Sequence, residues 1–274
     1  MNEAPILTAV VRRDRWIVAA VLALACALAW AWLLFQARQM SAPPAMGSMP
    51  GMGSMAGMAG MAPAAITPAY VVSASVMWSL MMIAMMLPSA APMILTYARF
   101  ASGTKAQGGA LAPTLLFAAI YLVVWAGFSA LAAALQAGLV EAGAISATRL
   151  AFGDRRIAGA LLVAAGLYQL TPIKRACLGQ CRAPLGFIMQ RWRPGWRGAL
   201  RLGFAHALAC VGCCWALMAL LFVGGVMSLA WVAVLALIVL VEKIAPIGER
   251  GVWLIGAAAG ALGLALIAGL PVPI

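Results

Sequence analysis

The sequence predicts an all-α fold, a polytopic transmembrane bundle of about seven helices. Hydrophobic residues make up 66% of the 274 residues and charged residues only 9%, where soluble domains carry roughly a quarter charged. Several uncharged runs reach the roughly 20 residues that cross a bilayer core, and inside that core backbone groups have to be satisfied within helices. Lys and Arg also fall unevenly on alternate connections, as they do in membrane proteins.

Taken in order, Arg12, Arg13 and Arg15 precede an uncharged run from Trp16 to Phe35. Lacking an Ala-x-Ala cleavage site, this run reads as a retained anchor rather than a signal peptide. Residues 1–38 are therefore a cytoplasmic N-terminus and first anchor. Residues 39–68 carry no charge and are rich in Met, Gly, Ala, Pro and Ser, so they read as a flexible outer loop. Residues 69–274 form a six-helix membrane domain. Its spans run from Val71 to Tyr97, Pro113 to Leu135, a short fourth from Ile157 to Ile173, then Leu202 to Val223, Val226 to Val241 and Val252 to Leu270. A basic cytoplasmic segment, 174–201, lies between the fourth and fifth, and Gly224 and Gly225 allow a tight turn after the fifth.

With seven spans, connections on one side hold three, two, seven and two Lys or Arg, and those on the other hold one and three. Fourteen against four places the N-terminus in the cytoplasm and the Met-rich loop outside. The net charge of +12 comes without a nucleic-acid motif, so the expected partner is a bilayer containing anionic lipids and not nucleic acid. No nucleotide loop, paired carboxylate or Ser-His-Asp arrangement is present, and the chain does not read as an enzyme.

The groups that carry chemistry are soft. Met46, Met49, Met52, Met55, Met58 and Met61 recur at every third position of the outer loop, a period that aligns thioethers along one edge of a polyproline-type coil. Such thioethers gather around Cu(I) or Ag(I); the plainer reading is a low-complexity linker. In the second span Met77, Met81 and Met85 share one helical face, where core filling competes with ligation as the reason. Pro88 and Pro92 each remove a helix hydrogen bond and free the carbonyls of Ala84 and Pro88.

His206, Cys210, Cys213 and Cys214 fall within an arc of about 100° on the fifth span. His206 is the only histidine in the chain. Seven residues separate it from Cys213, about 10.5 Å along a helix, so one ion needs donors from a second segment. Cys177 and Cys181 are the candidates. The mixed set suits Cu(I), with zinc as the other option. Buried packing is the competing reading for all six. Glu242 and Lys243, at the end of the sixth span, read as an interfacial anchor.

Met77-Trp78, the run from Ala84 to Met93 and Tyr97, followed by the run from Tyr168 to Cys177, Cys181-Arg182-Ala183-Pro184, Gly203, His206, Cys210, Gly212-Cys213-Cys214-Trp215 and Glu242-Lys243, resemble a bacterial domain-of-unknown-function family of predicted metal-binding integral membrane proteins. The resemblance implies a multi-pass inner-membrane protein with a metal site. Ala207 departs from the glycine expected after the histidine. The leading expectation is soft-metal, copper, transport or trafficking, with a metallochaperone or metalloenzyme as partner. A membrane thiol-disulfide oxidoreductase and an accessory assembly subunit for a metalloenzyme remain open alternatives.

Overall fold

The computed structural model describes residues 4–41, 66–103, 110–245 and 248–271. The methionine row from Met46 to Met61 lies outside the described residues. Those described are mostly helical and contain no strand. In chain order the helices are α1 (Ala4–Ser41), α2 (Pro68–Gly103), α3 (Leu111–Glu141), α4 (Arg155–Gln169), α5 (Pro172–Arg182), α6 (Pro184–Arg191), α7 (Gly195–Ala219), α8 (Leu221–Gly224), α9 (Leu229–Ile244) and α10 (Gly248–Ile267).

Five segments, Arg13–Arg38, Pro68–Ser102, Leu111–Glu141, Gly195–Gly224 and Gly248–Ile267, are long and apolar enough to cross a membrane. Large apolar side chains such as Leu131 and Leu254 point outward, as they do where lipid is the solvent. The stretch expected as one fourth span is instead broken: α4 ends at Gln169 and the chain bends 64° into α5. Pro172 starts the new helix and disfavours α geometry at Thr171, which is extended at φ −71° and ψ 147°. The Thr171 hydroxyl then accepts from Lys174 N at 3.3 Å and caps α5. α9 has 16 residues, about 24 Å, shorter than a bilayer core. The turn before it follows expectation, with Gly225 at φ +92°.

Pro88 and Pro92 stay inside α2. The Ala84 carbonyl that Pro88 leaves free accepts from Trp30 Nε1 on α1 at 3.1 Å, so the broken ladder becomes an anchor point between α1 and α2. α7 is the centre of the bundle: 67% of its apolar window is buried, against 22% to 44% for the other four segments. Its close approach to α3 depends on Gly203, where a Cβ would stand 2.8 Å from the Phe117 carbonyl oxygen. α4 and α10 touch in the same way, a Cβ on Gly166 falling 2.6 Å from the Gly256 carbonyl oxygen. Small residues at such crossings let helices meet where lipid offers no hydrophobic drive.

Candidate metal centre

The face of α7 that carries His206, Cys210, Cys213 and Cys214 is turned entirely inward, and all four are buried. Both Cys213 and Cys214 donate back to the Cys210 carbonyl, at 3.1 Å and 2.9 Å. These bonds hold the two thiols toward the same point from adjacent positions. α5 brings the second segment to this face. Cys181 stands close enough to Cys213 for the two thiols to interact electrostatically. Cys177 packs on Gly212, where a Cβ would stand 2.8 Å from its sulfur. Tyr168 donates to the Gly212 carbonyl and fixes α4 to the same turn.

From α2 the methionine that meets the thiols is Met86, with its sulfur 3.6 Å from Cys214 Sγ. Met81 and Met85 are buried in the core and Met77 packs at its edge. α3 contributes Tyr121, whose hydroxyl stands 3.1 Å from Cys210 Sγ and donates to the Met86 carbonyl at 3.3 Å. Its ring lies over His206 at 5.5 Å between centroids, and Phe117 and Phe187 cover the same imidazole at 5.9 and 6.0 Å. Inside that aromatic box neither His206 nitrogen has a hydrogen-bond partner among the described residues. An orphaned buried polar atom carries a penalty of about 1–3 kcal/mol, so the ring is short of something to bind. A soft cation fits this set: imidazole nitrogen, thiols and a thioether.

Glu242 and Lys243 are not interfacial anchors: they are 2% and 6% exposed. Glu242 accepts from Lys174 at 2.6 Å and from Gln169 at 2.9 Å, while Arg182 Nε donates to its carbonyl at 2.6 Å and ties α5 to the end of α9. The broken α4–α5 span is thus what aligns Lys174 with Glu242. Lys243 goes the other way, into the thiol cluster. Its Nζ donates to Cys210 Sγ at 2.9 Å and Ser89 Oγ at 3.1 Å, with Met86 Sδ at 4.0 Å. Among the described residues no three Cys, His, Asp or Glu side chains already stand in metal-holding spacing. Instead, the sulfurs of Cys210 and Met86 flank an ammonium.

Residues 75–266 match the family described as PpoB2, copper chaperone. The chain belongs to this family. No curated protein and no solved structure matches it. The PpoB2 match encloses the whole cluster, from Met86 on α2 to Lys243 on α9, and begins after the methionine row of residues 46–61. Both family-resemblance blocks in the sequence fall within it.

Four members of the cluster were missed as participants by reasoning from spacing. Met86 lies off the Met77, Met81 and Met85 row. Ser89 and Tyr121 belong to no ligand pattern. A lysine at a predicted helix end is assigned to the interface by rule. The available signal was the position of Met86, Ser89 and Lys243 within the quoted motifs.

Proposed function

We propose that this chain is an integral membrane protein that takes Cu(I) as cargo and hands it to a metalloenzyme or metallochaperone, without catalysing a reaction of its own. His206, Cys210, Cys213, Cys214 and Cys181 are its ligands, and Cys177 is a neighbouring thiol through which metal enters or leaves. Met86 and the row of Met77, Met81 and Met85 line the approach from α2. The supporting observation is the pair of unpartnered His206 nitrogens one helical turn from Cys210, in a chain whose family is described by copper. Imidazole and thiolate donors hold Cu(I) or Zn(II), and the thioethers favour Cu(I). In this reading the chain crosses the inner membrane seven times, with its N-terminus in the cytoplasm and residues 39–68 outside.

Protein purified in detergent under reducing conditions should compete with a Cu(I) chelator for one tightly held ion. Protein that leaves the chelator fully loaded overturns the reading.

The nearness of Cys181 on α5 to Cys213 on α7 favours one other reading, thiol-disulfide exchange. Mass spectrometry after alkylation under denaturing conditions separates the two: the copper reading expects Cys181, Cys213 and Cys214 all alkylated, the exchange reading a disulfide among them.

A further inference from the structure

The ammonium of Lys243 sits where a cation held by the sulfurs would sit. It is hydrogen-bonded to Cys210 Sγ and Ser89 Oγ and lies beside Met86 Sδ. Its direct partners come from two elements, the Cys210 thiol of α7 and the Ser89 hydroxyl and Met86 thioether of α2; the Tyr121 phenol of α3 stands against Cys210, and Cys181 of α5 is within electrostatic reach. The neighbouring carboxylate, Glu242, is already engaged by Lys174 and Gln169. No carboxylate pairs with Lys243 among the described residues, so its charge is balanced only by what the sulfur cluster supplies.

We propose that Lys243 is the resident counter-ion of this cluster: its ammonium holds the place of a monovalent ion and is displaced when Cu(I) enters. This rests on the copper reading above. Three physical points carry it. First, Nζ and a metal ion cannot both occupy the position next to Cys210 Sγ, because like charges so close in a dry interior repel strongly. Second, Lys243 has somewhere to go. It is in the last turn of α9, which ends at Ile244, and a four-carbon stem lets an ammonium reach from a helix end to the interface. Third, at a fixed number of thiol protons the exchange leaves the charge of the buried cluster unchanged, because one positive charge leaves as Cu(I) brings one in, and a dry interior penalises any net gain of charge. Emptying the site lets the ammonium return, which keeps the thiols from being left without a cation.

The test reads Lys243 directly. Metal-free and Cu(I)-loaded wild-type protein, in detergent under reducing conditions, are treated briefly with an amine-reactive reagent, and labelled peptides are quantified by mass spectrometry. Lys243 should be protected when metal-free and labelled when loaded, while Lys174, paired with Glu242, stays protected in both. Equal protection of Lys243 in both states overturns the proposal while leaving copper binding intact. Wild type that takes up no Cu(I) overturns the copper reading and this one with it.

Discussion

Tyr121 on α3 couples the two kinds of donor on α7: its ring covers the His206 imidazole at 5.5 Å while its hydroxyl stands 3.1 Å from the Cys210 sulfur. One side chain thus closes the aromatic box and borders the thiols. Tyr121→Phe keeps the ring and removes the hydroxyl, leaving the Met86 carbonyl without that donor. Its thermal stability in detergent should fall by about 1 kcal/mol, the size of one hydrogen bond. Tyr121→Ala opens the box as well and should lose about 3–5 kcal/mol. Equal losses in the two variants would mean that the ring contributes nothing.

The two donors should fail together. His206→Ala and Cys210→Ser should each weaken Cu(I) binding by more than the roughly 10- to 100-fold that follows loss of an outer partner, read by competition against a Cu(I) chelator. Affinity of the wild type should also fall as pH drops toward about 5. Ligating thiols and imidazole bind metal only without their protons, so acid competes with the ion and the sign is loss of binding on acidification. A flat pH profile together with unchanged affinity in both variants would reduce the cluster to packing.

The ion pair of Lys174 and Glu242 is a separate structural element, 2.6 Å long with both side chains nearly inaccessible. Lys174→Met leaves a buried carboxylate with only Gln169 as side-chain donor and should destabilise by about 3–5 kcal/mol. Adding Glu242→Leu should return most of that loss, because two apolar groups replace a broken pair. A double-mutant cycle on unfolding in detergent measures the coupling; additive losses would show that the pair is not acting as one.

Topology is open to a direct measurement. Reporter fusions after Met61 and after Arg193 should report opposite sides of the membrane, Met61 outside and Arg193 inside. The bend between α4 and α5 makes this informative, since a re-entrant α4–α5 unit that returns to its own side would make the two fusions agree.

The sequence by itself determined the all-helical, membrane-suited character and the gathering of His206 and three cysteines on one face of α7. Those conclusions depend on composition and on the 100° step of a helix, which are local quantities. It also located the weak carbonyl at Ala84, because a proline removes one known hydrogen bond wherever it stands. Only the tertiary structure decided which neighbours complete the cluster. Met86 rather than the Met77, Met81 and Met85 row meets Cys214 because the rotation of α2 against α7 chooses the face, and that is set by packing against α1, α3 and α9. The break at Thr171 and Pro172 turns what reads as a single short span into two helices, and that bend swings Lys174 to Glu242 and Cys181 to Cys213. Lys243 marks the largest difference. Its place in the chain, one residue from a helix end and next to a carboxylate, reads as a surface anchor. Its placement in the folded protein follows from long-range pairing: once Lys174 from another helix has taken Glu242, the remaining ammonium is held by the sulfurs of Cys210 and Met86 and the hydroxyl of Ser89.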